Sequence, residues 1–172
     1  MIKDRLRKGL LIVFITCASI KANAQHESII VTYLDVLSKM MVWPNEPHEN
    51  FVIAVLGEST SIPALQKRYS RKWPKRKVRR QQVRFVAMKD LSQYVSTNLL
   101  FTETKNLDSL RYICEDLNTT NVVIVTCVPG FNEGPTINID LESNYEVQIN
   151  AGLIEARDVR IGPVLKELAE IL

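Results

Sequence analysis

Apolar positions along this chain switch repeatedly between a helical and a strand period, and the order of the switches predicts alternating helices and strands. From His26 to Trp43, the residues Ile30, Tyr33, Leu34, Leu37, Met40 and Met41 fall on one helical face, and Trp43-Pro44 ends the run. Polar residues follow to Asn50, and Phe51–Gly57 then reads as a first buried strand. Glu58-Ser59-Thr60-Ser61 with Pro63 marks the start of the next helix, by a hydroxyl cap and an early proline. Alternation at Val78, Val83, Phe85 and Ala87 predicts a strand from Gln81 to Met88. Asp90 caps a short helix reaching Val95, Asn98–Glu103 is a strand, and Asn106–Leu117 is a helix.

The stretch from Asn121 to Phe131 organises the rest. Six of its first eight residues are Val, Ile or Cys without alternation, which suits a central strand buried on both faces, and Pro129-Gly130 stops it. Thr136–Leu141 and Tyr145–Ile149 alternate, predicting an antiparallel hairpin with one exposed face. A short helix is expected around Ile154 to Arg157. Gly162-Pro163 opens a last helix with Leu165, Leu168, Ala169 and Leu172 as its buried stripe. The expected architecture is a single α/β domain: a mixed, mostly parallel sheet flanked by helices, with a C-terminal antiparallel hairpin. No internal repeat, low-complexity tract or inner domain boundary interrupts it.

Residues 1–24 stand apart. Lys3, Arg5, Arg7 and Lys8 precede an apolar run from Gly9 to Ile20, and Ala22-Asn23-Ala24 supplies small residues for a signal peptidase, so a cleaved export signal ending at Ala24 is expected. Twelve apolar residues fall short of the roughly 20 that span a bilayer. The expected mature domain is 25–172, exported. Without the signal, 17 bases face 18 acids, so the formal net charge of +3 becomes −1. Export permits disulfides, yet Cys114 late in a helix and Cys127 at the far end of the following strand should lie beyond the roughly 7 Å that a bridge tolerates. Two free, buried thiols are expected.

Charge is unevenly spread. Between Lys67 and Lys89 there are 11 bases and no acid, interleaved with Tyr69 and Trp73, whereas from Asp90 onward 13 acids face five bases. Behind an export signal this basic segment does not point to nucleic acid. It is either a solvated helix end and hairpin edge or an electrostatic docking face for a partner or anionic surface, with Arg76, Lys77, Arg79 and Arg80 at its centre. The turn from Gly57 to Ser61 has the outline of a phosphate cradle, but it has one glycine, no Lys-Ser or Lys-Thr pair, and Glu58 to repel an anion, so plain turn geometry is preferred. His26 and His48 are poorly placed as a base or ligand, and no zinc spacing, nucleophile elbow, Walker loop or dinucleotide fingerprint occurs. Cys127 is the one candidate nucleophile; without a local base, in an apolar setting, its pKa should rise. Asp140, Glu142 and Glu146 read as a solvated charge ladder. The residues argue against an enzyme and against a cofactor.

Five features then carry a family likeness: the opening helix ending in Trp43-Pro44; the strand Phe51 to Gly57; the basic segment leading to a strand near Val83; Val128-Pro129-Gly130-Phe131 followed by Gly134 and an Ile-rich strand; and Gln148-Ile149-Asn150 before the final helix at Leu165, Leu168 and Ala169. In order and spacing they resemble the YfiR-like, or HmsC-like, family of bacterial periplasmic proteins. The resemblance implies a small non-catalytic α/β protein that represses a membrane-bound diguanylate cyclase by binding its periplasmic part, lowering cyclic di-GMP signalling and biofilm formation. Two departures stand out. The strand Asn98 to Glu103 lacks the cysteine that relatives often pair there, so redox control is not carried over, and a single Gly134 replaces a frequent glycine pair.

The leading expectation is therefore a periplasmic regulatory module binding the extracytoplasmic part of an inner-membrane signalling protein. The alternative is a periplasmic small-molecule binder or sensor, with its ligand at the carboxyl ends of the strands near Gly57 and Pro129-Gly130-Phe131. Homodimer formation stays open. A docking module should present a charged or apolar patch, a binder a concave pocket, and an enzyme a base beside Cys127.

Overall fold

A computed structural model describes residues 27–44, 50–69, 77–78, 81–129, 131, 134–141 and 146–172. The proposed export signal, His26 and His48 lie outside them. The first helix, α1, covers residues 27–40 and buries Ile30, Val31, Leu34 and Leu37. It is shorter than its apolar spacing predicts. Met41–Val42 leaves the helix as β1 and pairs antiparallel with β9, Arg160–Ile161. Trp43 holds this exit: its indole N–H donates to the Ser38 carbonyl at 2.8 Å, and its ring meets Phe51 edge-on, centroids 4.9 Å apart.

The remaining elements are β2 (Asn50–Leu56), α2 (Ile62–Tyr69), β3 (Lys77–Val78), β4 (Gln81–Met88), a 3-10 turn (Leu91–Gln93), β5 (Leu99–Thr102), α3 (Leu107–Asp116), β6 (Val123–Thr126), β7 (Ile137–Asp140), β8 (Glu146–Ile149), α4 (Ala151–Glu155), β9, α5 (Pro163–Leu168) and β10 (Glu170–Ile171). The predicted elements follow in their expected order, joined by three short strands that were not predicted, β3, β9 and β10. Local chemistry sets several boundaries. Asn106 Oδ1 accepts the Ser109 N–H to cap α3, Asn150 Oδ1 accepts the Leu153 N–H to cap α4, and Asp90 accepts the Ser92 N–H at the 3-10 turn.

The main sheet has eight strands in the order β10-β8-β7-β6-β5-β2-β4-β3. Pairs β4–β2, β2–β5, β5–β6, β6–β7 and β8–β10 are parallel; β3–β4 and β7–β8 are antiparallel. The architecture is thus a single α/β domain with a mostly parallel sheet and an antiparallel C-terminal hairpin. Its parallel strands β4, β2, β5, β6 and β7 lie side by side as second, first, third, fourth and fifth in chain order, the arrangement of a doubly wound sheet.

Strand pleating sends alternate residues to two cores. Phe51, Ile53, Leu99, Phe101, Val123, Val125, Ile137 and Ile139 face α1, α2, α4 and α5. Ala54, Leu56, Leu100 and Ile124 face α3 and the 3-10 segment. β6 is buried at every position, as its unbroken apolar run requires. Arg157, 2% exposed, ties α4 to the entry of β6 by donating from Nε to the Val122 carbonyl at 2.7 Å and from Nη1 to Leu153 O at 2.8 Å.

The C-terminal stripe departs from expectation. α5 ends at Leu168 and the chain straightens into β10 beside β8, where Leu172 N–H donates to Ile149 O, leaving Leu172 47% exposed rather than buried. Free backbone groups on β8 outweigh the weak helical preference of the last residues. At the other end of α5, Gly162 packs so closely on α1 that an added Cβ would lie 2.1 Å from the Met40 carbonyl oxygen.

Candidate functional site

Sheet order brings three connections together at the carboxyl ends of β2, β4 and β5. The chain leaves β2 toward α2 on one face and leaves β5 toward α3 on the other, so a crevice opens between the departing segments. A cavity of about 690 Å³ occupies it. Leu56, Gly57 and Glu58 supply one wall, Lys89, Asp90 and Leu91 a second, Thr102 and Thr104 the floor, and Asp108, Ser109, Tyr112 and Ile113 of α3 the third wall. Gly57, at φ +82°, makes the sharp exit from β2, and its N–H donates to Met88 O at 2.9 Å, fixing the two walls to each other. The second wall is held by the Gln93 side chain, which accepts the Lys89 N–H at 3.0 Å, and by the Asp90 cap.

On the opposite face, the turn that outlines a phosphate cradle is already filled. Glu103, just beyond β5, accepts the Thr60 N–H at 3.2 Å through Oε2 and the Ser61 hydroxyl at 2.9 Å through Oε1. This carboxylate takes the place at the start of α2 that an anion would take. Plain turn geometry therefore accounts for Gly57 to Ser61, with Glu103 as the partner that the sequence spacing conceals.

Both described cysteines are free. Burial pushes the Cys114 thiol up to about 11, with Arg157 opposing and Glu115 adding to the shift. Burial, then the nearby Glu103 carboxylate, raises the Cys127 thiol far above its ordinary value. A protonated thiol is a poor nucleophile. Cys114 is buried as expected, while Cys127 is only partly so.

The two groups of sequence-chosen site residues lie apart. Arg76, Arg79, Arg80 and Gly130 fall outside the described residues; Lys77 lies in β3 at one edge of the sheet. Pro129 is exposed, but Phe131 is 6% exposed and packs on Leu110 and Val128. The stretch is anchored by Asn138, itself 3% exposed, whose Oδ1 accepts the Val128 N–H at 3.1 Å and whose Nδ2 donates to Val128 O at 3.0 Å. Gly57 lines the cavity, whereas Pro129 and Phe131 do not, because β5 separates the end of β6 from that of β2 and Phe131 turns inward. Sequence reading missed Lys89, Asp90 and Tyr112 as neighbours. The available signal was Tyr112 itself, an aromatic at a solvent position of α3 and 61% exposed.

Among the described residues no group of three or more His, Cys, Asp or Glu side chains is placed to hold a metal, and no helix is long and apolar enough to cross a membrane. No curated protein matches the chain at a significant level. A family model described as YfiR/HmsC-like matches residues 31–170, from the middle of α1 into β10. With that match spanning nearly the whole fold, the chain belongs to the YfiR/HmsC-like family.

Proposed function

We propose that this protein is a non-catalytic periplasmic regulator that binds and represses a membrane-bound signalling protein of diguanylate cyclase type, acting on the cyclic di-GMP pathway. Family membership supports the regulatory class. The docking mode is supported by the described strands of the basic segment: β3, with Lys77, and β4, with Arg84, lie at one edge of the sheet, while β8 and β10, with Glu146 and Glu170, lie at the other. In this reading a partner bearing acidic groups is steered toward the β3 edge. Absence of catalysis is consistent with Cys127, whose thiol is held protonated.

The test is a pull-down of the tagged mature protein from crosslinked cell envelopes, beside a variant with Arg76, Lys77, Arg79 and Arg80 all changed to Glu. Recovery of one inner-membrane signalling protein, lost in the variant, is the expected result. Equal recovery would move the interface off the basic edge, and recovery of no envelope protein would overturn the regulatory reading. A second reading, in which the domain senses a small molecule, is favoured by one observation: the cavity at the ends of β2, β4 and β5.

A further inference from the structure

The cavity beside Gly57 carries a charge and surface pattern that selects among ligands, and an inference drawn from it rests on the second, small-molecule reading. Three carboxylates line it, Glu58, Asp90 and Asp108, against one ammonium, Lys89. The start of α3 adds about half a positive charge. The sum stays negative, so the cavity repels phosphates and carboxylates and concentrates cations.

The carboxylates are not equally engaged. One Asp90 oxygen is used by the Ser92 backbone and hydroxyl, and Asp108 lies 3.6 Å from Arg111. Glu58 and Lys89 are both at the cavity, yet they do not pair with each other. An ammonium brought beside Glu58 would therefore displace no existing ion pair of that residue among the described ones. The uncharged lining is mixed: Thr102, Thr104 and Ser109 bring hydroxyls, Leu56, Leu91 and Ile113 an apolar part, and Tyr112, 61% exposed, a ring. An exposed aromatic at a cavity wall is suited both to a flat apolar body and to a cation over its face.

We propose that this cavity binds a small organic amine, its ammonium held by Glu58 with the open oxygen of Asp90, and its apolar body laid against Tyr112 and Leu91. The cavity's volume, about 690 Å³, lies in the range of ordinary small-molecule sites and far exceeds what a lone metal ion needs.

The experiment is isothermal titration of the mature full chain with three probes of similar shape: 2-phenylethylamine, its neutral analogue 2-phenylethanol and its anionic analogue 3-phenylpropionate. Glu58→Gln and Tyr112→Ala variants are titrated in parallel; both positions are exposed, so the fold should be retained, and this is checked by circular dichroism. Expected is binding of the amine at least about tenfold tighter than either analogue, weakened about threefold to tenfold in each variant. If the neutral or anionic probe binds as well as the amine and the variants weaken it, the amine class is wrong while the small-molecule reading stands. Amine binding that both variants leave unchanged would move the ligand elsewhere, and no binding by any probe at millimolar concentration would overturn both.

Discussion

Asp35 is the residue at which the fold should respond most clearly to acid. It is 8% exposed on α1, and its Oδ2 accepts from Lys39 Nζ and from Arg68 Nη2, each at 2.8 Å, joining α1 to α2. Burial alone pushes this carboxyl up, but the two cations outweigh burial and hold it below the ordinary aspartate value of 3.8. A depressed folded pKa means that the ionised form stabilises the fold above the unfolded pKa, and that this contribution fades as pH falls through the lower folded value. Asp35→Asn should therefore cost about 1–3 kcal/mol at pH 7, with the gap to wild type closing below about pH 4. Urea unfolding at pH 7 and at pH 3 checks this; a gap of the same size at both would show that charge is not what Asp35 contributes. None of this was legible in the sequence, where Asp35 is one polar residue on an apolar helix and Arg68 belongs to the basic run.

At the scale of elements, strong local signals were read correctly. The alternation from Gln81 to Met88 gave β4 its full extent, and the helix read from Asn106 to Leu117 is α3, for which the structure adds Asn106 as the cap. Elements made by distant partners were not legible. β1 and β10 are each two residues long and exist because a partner strand supplies hydrogen bonds, Ile161 for Met41 and Ile149 for Ile171. The cavity escaped for a related reason: its walls are connections from three strands, and only the sheet order makes them adjacent.

Asn138 shows how one side chain can replace an element. By donating to and accepting from Val128, its amide extends the pairing of β6 and β7 past the point where the backbones part. Asn138→Asp keeps the size but removes the donor and buries a carboxylate beside the Val128 carbonyl. A loss of about 2 kcal/mol or more is expected, read by chemical denaturation. An unchanged midpoint would mean that Phe131 packing alone positions the segment.

For the whole molecule, charge separation was the most legible global property, because counting acids and bases along the chain needs no fold. Where the described strands of each segment lie did require one: Lys77 and Arg84 sit on β3 and β4 at one edge, Glu146 and Glu170 on β8 and β10 at the other. Strand order also fixes when the domain can become stable during its synthesis. The first helix is clasped by residues near the end of the chain: β1 pairs with β9, with Met41 opposite Ile161, and Gly162 packs against the Met40 carbonyl. These contacts join positions 120 and 122 residues apart and cannot form until β9 and the start of α5 have been made. A chain stopped after Ala156 lacks β9, α5 and β10, and should show no cooperative urea transition by circular dichroism; a sharp one would mean that the clasp is dispensable. If the truncated chain behaves so, a polypeptide emerging amino end first stays open and pliable until β9 and α5 have been made, a state that suits threading through a narrow pore.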